Sequence, residues 1–181
     1  DVCSSDLLEQ LAATCQVVTY EFENVDVSAV EFLLEKLPCY PGTNALRTSQ
    51  DRLLEKQFFQ SIGIETAPFF QVDSEDELTE ALNNTDGGGI LKTRRFGYDG
   101  KGQIRLTPAD GDALAAAKKL AVSEPCILEG LVSFQREVSI IAARGADGDI
   151  RCFDPAENFH QDGILRTSTI PAEIPRSTSD E

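Results

Sequence analysis

The sequence predicts a mixed α/β and α+β fold, and three observations lead to it. In the first third of the chain, apolar segments with helical spacing alternate with short runs of β-branched and aromatic residues, which is typical of a parallel sheet with covered faces. Further along, two short apolar strands flank the glycine-rich stretch "GYDGKGQ", which indicates an antiparallel hairpin. The 181 residues, 41% of them hydrophobic, suffice for a buried core in one domain or two small ones.

The first third is predicted to alternate helices and strands. A helix begins near Ser5, a strand covers residues 17–22, a capping box at residues 28–31 opens a second helix, and a short strand ends in the turn "CYPG". Another helix is predicted over residues 48–61, because Gly63 is suited to a left-handed C-terminal cap.

The rest of the chain is predicted to place antiparallel strands around two helices. Ser74 caps the first helix, "GILK" and "QIRL" are the strands beside the glycine-rich stretch, and Thr107-Pro108 begins the second helix, which runs through Leu120. "CILEG" is a short strand, residues 136–144 form one long strand, and "IRCF" returns as its hairpin partner. The polar tail "PRSTSDE" is expected to be loosely held.

Composition excludes several classes of protein. The formal net charge of −15 is opposite to the basic face that general nucleic-acid binding requires. No apolar run approaches the roughly 20 residues that span a bilayer, and no basic-then-apolar leader opens the chain. Five cysteines without a CxxC pair, beside the single histidine His160, favour reduced thiols in a cytoplasmic protein over a zinc site. Because the chain lacks Met, we expect Asp1 to follow from processing or truncation.

The segment "KTRRFGYDGKGQIRL" gathers five basic residues and three glycines in an otherwise acidic chain. It is not a Walker A loop, because Gly102 follows Lys101 where Ser or Thr is needed, and a strand follows where a dinucleotide fingerprint has a helix. Successive glycines let backbone N–H groups turn toward a phosphate, and Lys101 adds positive charge. The segment is therefore either a phosphate-binding flap or an ordinary flexible hairpin with solvated charges.

Three charged residues near this segment favour the phosphate-binding interpretation. Lys92 lies on the strand that enters the loop, where a lysine pointing into a cleft can pair with phosphates. Glu129 and Glu137, eight residues apart, stand near strand ends, where a carboxylate can bind a ribose hydroxyl. The alternative for both glutamates is a solvated edge charge.

Longer segments carry a resemblance to a known family. "DRLLEKQFF", "GIETAPF", "LKTRRFGYDGKGQ", "ILEGLVSFQREVSIIAARGADG" and "ENFHQDGILRTS" together resemble the 5-(carboxyamino)imidazole ribonucleotide synthetases, the ATP-grasp ligases of bacterial and fungal purine biosynthesis. "VVTYEFENV" and "ALRTSQDR" fit the same family upstream. The resemblance covers nearly the whole chain in order and spacing, and "NFHQDGILRTS" is its most specific part.

The resemblance implies an ATP-grasp fold, in which two α+β domains hold ATP between them. It divides the chain into the rear of a partial Rossmann-like N-terminal domain with its linking helix (residues 1–66), a complete lid domain (67–137) and the beginning of a C-terminal domain (138–181). Family members also carry an N-terminal glycine-rich turn and magnesium-binding carboxylates that do not occur in this sequence. The chain thus resembles an internal fragment with no metal ligands of its own.

The resemblance also implies roles for individual residues. The positions that match ATP contacts are Arg52, Lys92, Gly97, Tyr98, Asp99, Gly100, Lys101, Gly102, Gln103, Glu129, Gly130, Leu131, Val132, Glu137 and His160. The positions that match contacts with aminoimidazole ribonucleotide are Glu21, Tyr98 and Lys101. Lys92 and Lys101 are the catalytic candidates, because their charges would offset those of the phosphates. For His160 and Tyr98, the alternatives are a polar residue tied into a loop and an ordinary turn aromatic. Lys101 stands where the family often has arginine, which keeps the charge and loses the planar fork.

The implied activity is ATP-dependent carboxylation of 5-aminoimidazole ribonucleotide with bicarbonate, with magnesium as a second cofactor. The resemblance implies a cytoplasmic enzyme that is a homodimer when full length and has neither nucleic-acid nor membrane partners. The fragment alone is expected to be inactive. Two alternatives remain: an ATP-grasp ligase with a different acceptor, and a non-catalytic nucleotide-binding fragment.

Overall fold

The computed structural model describes residues 5–97, 101–161, 163–175 and 178. The chain separates into two compact units, which are described one at a time. The first unit contains Asp1–Gly97 and Gly102–Leu131, and the second contains Tyr98–Lys101 and Val132–Glu181.

The first unit begins with helices around a short parallel strand pair. Its elements are α1 (Ser5–Thr14), β1 (Val18–Thr19), α2 (Val27–Leu34), β2 (Cys39–Tyr40), α3 (Thr43–Ser49) and α4 (Arg52–Ser61). The parallel pairing of β1 with β2 confirms the predicted strand direction. Val30, Cys39 and Leu46 form the small core between these elements.

Three predicted boundaries in this region are wrong. The strand predicted over residues 17–22 has only two residues, because β1 pairs with the equally short β2. The capping residue of α2 is Asp26, whose carboxylate accepts from the Ser28 N–H at 2.9 Å, so the capping box predicted at residues 28–31 starts two residues too late. The helix predicted over residues 48–61 is two helices, because Asp51 caps α4 and breaks the run. The left-handed Gly63 is confirmed, with a φ of 81°.

The first unit continues as a four-stranded antiparallel sheet covered by two helices. The elements are β3 (Phe69–Val72), α5 (Glu75–Asn83), β4 (Gly89–Thr93), β5 (Gln103–Leu106), α6 (Gly111–Ser123) and β6 (Cys126–Glu129). The strand order is β3-β6-β4-β5. The core between this sheet and its two helices includes Leu78, Leu91, Leu106, Ala117 and Leu128.

The predicted hairpin strands and the Ser74 cap are confirmed in this sheet. β4 and β5 are antiparallel neighbours, and the Glu77 N–H donates to Ser74 Oγ at 3.2 Å. Residues 98–100, at the predicted tip of the hairpin, lie outside the described residues. The predicted start of α6 at Thr107-Pro108 is wrong. The Thr107 carbonyl closes a turn with the Asp110 N–H, and the Asp110 carboxylate then caps the helix.

The second unit consists of two small antiparallel sheets. Its strands are β7 (Glu137–Ser139), β8 (Ala142–Arg144), β9 (Ile150–Cys152), β10 (Ala156–Gln161) and β11 (Ile164–Thr169). One sheet has the order β11-β10-β7, and the other is the β8-β9 hairpin, which confirms the predicted return of "IRCF".

The long strand predicted over residues 136–144 is wrong in one respect. It is interrupted at Ile140 and Ile141, because β7 pairs with β10 whereas β8 pairs with β9. The β10–β11 hairpin, which carries the most specific part of the resemblance, was not assigned elements from the sequence. Most of the predicted loose tail lies outside the described residues. In the part of the chain that the structure covers, no helix is long and apolar enough to cross a bilayer.

Candidate functional site

Two lysines share one carboxylate on the sheet of the first unit. Lys92 Nζ, from β4, lies 3.0 Å from Glu129 Oε2. Lys56 Nζ, from α4, lies 3.6 Å from Glu129 Oε1. The three side chains are largely withdrawn from solvent, with exposed fractions of 24% for Lys92, 17% for Lys56 and 13% for Glu129. This group is called here the Lys56–Glu129–Lys92 cluster. It contains two basic side chains and one acidic side chain.

The strand register explains why these residues meet. Glu129 is paired with Ile90, two residues before Lys92, so Lys92 and Glu129 are diagonal neighbours on one face of the sheet. On the other side of β6, Glu129 is paired with Phe69, and Lys56 lies 6.0 Å from the centroid of the Phe69 ring. Glu129 is therefore not the solvated edge charge that the sequence left as an alternative.

A second carboxylate stands beside this cluster on α4. Burial raises the pKa of Glu55, and the nearby carboxylates of Glu23 and Glu129 raise it further, while Lys56 and Arg52 act in the opposite direction. The two cations therefore reduce the electrostatic repulsion between the Glu55 carboxylate and those of Glu23 and Glu129.

Arg52 braces the entrance of the glycine-rich hairpin. Its guanidinium donates from Nη1 to the Thr93 carbonyl and from Nη2 to the Gly97 carbonyl, both at 2.9 Å, and its backbone N–H donates to the Arg94 carbonyl at 3.0 Å. Residues 93–97, called here the hairpin stem, are thus tied to the first residue of α4.

The neighbouring residues tie the same stem to the break between α3 and α4. Arg94 donates to both carboxylate oxygens of Asp51, and Arg95 donates to the Gln50 side-chain oxygen at 2.7 Å. The Gln50 amide nitrogen in turn donates to the carbonyls of Glu23 and Val25. The stem is therefore held by charged or polar contacts from Gln50, Asp51 and Arg52.

Gly102 closes the other side of the hairpin and tolerates no side chain. Its φ is +69°, and a Cβ placed there would lie 2.7 Å from Thr93 Oγ1. The Thr93 N–H donates to the Gly102 carbonyl at 2.8 Å, which sets this close approach of the two strands.

The second unit places two predicted ATP-contacting residues together. His160 Nδ1, on β10, lies 3.1 Å from Glu137 Oε1, on β7. The two strands are paired there, with Asn158 opposite Glu137. Both side chains line a cleft of about 350 Å³, together with the partly apolar wall of Phe134 and Phe159. His160 therefore lies in a strand and not in the expected loop, it is paired with a strand carboxylate, and its contact with ATP stays a prediction.

The remaining predicted site residues are more scattered. Glu21 follows β1 and is exposed, and within the described residues no hydrogen bond or ion pair joins it to Lys92 or Glu129. Lys101 is exposed in a turn, and Gln103 is the first residue of β5. The Gly130 N–H donates to the Pro68 carbonyl. Leu131 and Val132, the next two residues, have exposed fractions of 45% and 54%. The predicted residues Tyr98, Asp99 and Gly100 lie outside the described residues.

Sequence reasoning missed Lys56, Asp51 and Arg94. Lys56 had a detectable signal, because it is four residues after Arg52 on one face of the same helix. The Asp51–Arg94 pair had none, because the two residues are 43 positions apart in the chain.

Cys126, on β6, is a buried thiol of the core. Burial is the largest of the effects that raise the pKa of Cys126 to about 11, so that thiol stays neutral and packs in the core. The residues that the structure describes contain no group of three or more His, Cys, Asp or Glu side chains that could hold a metal ion.

Two protein-family models match this chain. A family model described as the ATP-grasp domain matches residues 57–181, more than half of the chain. The chain belongs to the ATP-grasp family. A second model, described as the ribonucleotide synthetase preATP-grasp domain, matches residues 1–50 of this ATP-grasp chain. The predicted ATP-grasp fold is thereby confirmed.

Several named proteins and solved structures are similar to this ATP-grasp chain. The N5-carboxyaminoimidazole ribonucleotide synthase of Brucella melitensis is 53% identical over 173 residues, which are 96% of this chain and 48% of the relative. A bifunctional purine synthesis protein of Dictyostelium discoideum is 43% identical over 172 residues, 93% of this chain and 17% of the relative. A solved N5-carboxyaminoimidazole ribonucleotide synthetase in complex with ADP superposes with a TM-score of 0.92 at 36% identity, covering 99% of this chain and 47% of that one. The chain therefore spans about half the length of the single-function relatives.

Proposed function

We propose that this chain is the nucleotide-holding part of an enzyme that carboxylates 5-aminoimidazole ribonucleotide with bicarbonate and ATP in purine biosynthesis. The products would be 5-(carboxyamino)imidazole ribonucleotide, ADP and phosphate. The observation that carries the proposal is the 53% identity, over 96% of the chain, to a relative named for that product. We also propose a cytoplasmic homodimer for the whole protein, and domain boundaries at residues 66 and 137.

Lys92 is well placed to pair with the phosphates of ATP. Lys92 is a partly buried cation whose present partner is a carboxylate, so an incoming phosphate can replace that partner without leaving the lysine unpaired. In this proposal Lys92 and Lys101 offset phosphate charge, and the glycine-rich hairpin covers the nucleotide and excludes water. Arg52 holds the hairpin stem in this proposal. Its hydrogen bonds to the Thr93 and Gly97 carbonyls restrict how its guanidinium group reaches ATP.

Glu137 and His160, in the second unit, have side chains suited to a ribose. The Glu137 carboxylate accepts hydrogen bonds, and the ribose hydroxyls of a nucleotide donate them. His160 lies 3.1 Å from that carboxylate and restricts its orientation. The aminoimidazole ribonucleotide is assigned, by the same proposal, to Glu21, Tyr98 and Lys101. The adenine is assigned to Glu129, Gly130, Leu131 and Val132.

The proposed reaction has two steps. A bicarbonate oxygen attacks the γ-phosphorus of ATP, the bond from that phosphorus to ADP breaks, and carboxyphosphate forms. The exocyclic amine of the ribonucleotide then attacks the carboxyl carbon, or carbon dioxide released from carboxyphosphate, so that phosphate leaves and the amine loses a proton. In both steps this chain's residues act by positioning and charge neutralisation.

Magnesium is expected with ATP in such a reaction, where it would neutralise phosphate charge. The residues that the structure describes do not fit it, because they contain no cluster of potential metal ligands. That observation favours a second candidate function for the chain taken alone, namely nucleotide binding without turnover. An ATP-grasp ligase with another acceptor is the remaining alternative.

Phosphate release tests the proposal. The assay compares the 181-residue chain with a polypeptide that contains it and spans the length of the Brucella relative. With ATP and bicarbonate, the longer polypeptide is expected to release phosphate only when aminoimidazole ribonucleotide is added, and the chain alone is expected to release none. Release by the longer polypeptide that depends on a different acceptor would overturn the proposed substrate. Equal substrate-dependent release by both polypeptides would overturn the assignment of metal ligands outside this chain.

A further inference from the structure

We propose that Lys56 is a positioning residue that allows Lys92 to leave Glu129 for a nucleotide phosphate. The inference rests on the proposed function, in which Lys92 contacts phosphate. Lys56 itself matched none of the positions assigned from the sequence, and the structure alone brings it to the site.

The two oxygens of Glu129 serve different lysines. Oε2 is 3.0 Å from Lys92, and Oε1 is 3.6 Å from Lys56. With 13% of its side chain exposed, Glu129 has little access to water and needs a cation near it. As long as Lys56 stays, the carboxylate keeps one cation when Lys92 moves to a phosphate.

Removal of Lys56 would make Lys92 the remaining cation paired with Glu129 in this cluster. Glu129 would then depend on Lys92 alone, and a phosphate would have to compete with a partly buried carboxylate for the same ammonium group. Nucleotide binding would also leave that carboxylate without a cation, which is unfavourable in a site of low solvent access. Lys56 therefore affects nucleotide affinity through Glu129 and needs no contact with the nucleotide.

The surroundings hold Lys56 in place for this role. Its ammonium lies 6.0 Å from the centre of the Phe69 ring, on the strand next to Glu129, and only 17% of its side chain is exposed. The neighbouring Glu55 carboxylate adds a second negative charge that Lys56 partly offsets. A cation restricted in this way remains close to Glu129 whichever partner Lys92 has.

Nucleotide affinity provides the first test. ADP is titrated calorimetrically into the chain and its variants Lys56→Met and Lys56→Arg. The Met variant is expected to bind about fivefold more weakly, a loss that matches removal of one partly exposed ion pair, and the Arg variant is expected to bind as the wild type does. Lys118→Met is the matched control, because Lys118 pairs with Glu75 at 3.3 Å on an exposed surface. Unchanged affinity in Lys56→Met would overturn the inference.

The reactivity of Lys92 provides a test that needs no nucleotide. The chain is treated briefly with acetic anhydride, and acetylation of Lys92 is measured by mass spectrometry. In Lys56→Met the acetylation of Lys92 is expected to slow about fivefold, because Glu129 holds the ammonium group more tightly. In the double variant Lys56→Met/Glu129→Gln the slowing is expected to disappear. A purely structural role for Lys56 would speed labelling, or leave the effect unchanged in the double variant, and either result would overturn the inference.

The two tests separate the inference from the proposed function. If the wild-type chain fails to bind ADP, the proposed nucleotide site is wrong for this chain, while the acetylation rates still decide whether Lys56 controls Lys92. Thermal unfolding of each variant checks folding. If Lys56→Met unfolds, Lys56→Gln takes its place with the same expected direction in both assays.

Discussion

Arg94 binds Asp51 at both carboxylate oxygens, with Nε 3.0 Å from Oδ1 and Nη2 2.6 Å from Oδ2. The same Oδ1 accepts from the backbone N–H groups of Leu53 and Leu54 at the start of α4. One carboxylate thus caps a helix and fixes the hairpin stem of the candidate nucleotide site. A change at Asp51 would therefore affect both the stability of the first unit and the position of the hairpin stem.

Replacing Asp51 is therefore expected to be more harmful than replacing an ordinary cap. Asp51→Ala removes the cap of α4 and leaves Arg94 without its carboxylate, which together should lower the free energy of unfolding by about 2–4 kcal/mol. Asp110→Ala, which removes only the cap of α6, should lower it by about 1 kcal/mol. Urea unfolding followed by circular dichroism measures both. Equal losses in the two variants would show that the Asp51–Arg94 pair adds nothing.

Acid should remove the contribution of Asp51 in a defined direction. Burial acts to raise the pKa of this carboxyl, but hydrogen bonds from Arg94 and from the Leu53 and Leu54 N–H groups outweigh it and hold the pKa below its usual value. Because the folded pKa is depressed, the stabilisation is present above the unfolded value of about 3.9 and is lost as the pH falls through the folded pKa. The stability difference between wild type and Asp51→Asn should accordingly be constant near neutral pH and shrink below about pH 4. A difference that persists undiminished at about pH 2 would contradict this.

Glu55 should behave in the opposite way. Its pKa is raised, chiefly by burial, so protonation favours the folded state. Its contribution is fully present below the unfolded value of about 4.3 and is lost as the pH rises through the folded pKa. Glu55→Gln should therefore stabilise the chain at about pH 7 and have little effect at about pH 4. Glu80→Gln, on the exposed face of α5, serves as the control. A destabilised Glu55→Gln at neutral pH would mean that the charged form makes a favourable contact.

Arg52 should be irreplaceable by lysine. Its fork donates to the Thr93 and Gly97 carbonyls at once, and a single ammonium group cannot reproduce that geometry. Both Arg52→Ala and Arg52→Lys should increase hydrogen exchange at the Thr93 amide, by about tenfold for a loss near 1.4 kcal/mol of local stability. Arg47→Ala, which removes the exposed pair with Glu31, should leave that amide unchanged. Wild-type exchange in Arg52→Lys would indicate that charge alone holds the stem.

Local sequence signals predicted much of this fold correctly. The hairpin strands around the glycine-rich stretch, the Ser74 cap and the left-handed Gly63 all depend on neighbours within a few residues, and all are confirmed. The errors occur where a distant or competing partner decides. Asp51 breaks a continuous helical pattern because its carboxylate is used by α4 and by Arg94, and Ile140 and Ile141 interrupt an apolar run because its two ends belong to different sheets.

The candidate site shows the same limit. Lys92, Glu129, Glu137 and His160 were predicted, because strand ends, charge and the family resemblance pointed to them. Lys56 shares one face of α4 with Arg52, but its pairing with Glu129 depends on the tertiary placement of α4 beside β6. Arg52 was assigned to ATP from the resemblance, and its two bonds to stem carbonyls became visible only in the structure. Its contact with ATP stays a prediction.

The kinetics of Lys92→Ala test whether Lys92 binds a phosphate of ATP. The measurement is phosphate release that depends on aminoimidazole ribonucleotide, at varied ATP, by the polypeptide that spans the length of the Brucella relative. A charged hydrogen bond to phosphate contributes about 1.5–3 kcal/mol, so kcat/KM for ATP should fall about tenfold or more in Lys92→Ala. Lys118→Ala should keep the wild-type value. Unchanged kinetics in Lys92→Ala would show that Lys92 does not bind the phosphate and would leave the Lys92–Glu129 pair as a structural contact of the sheet.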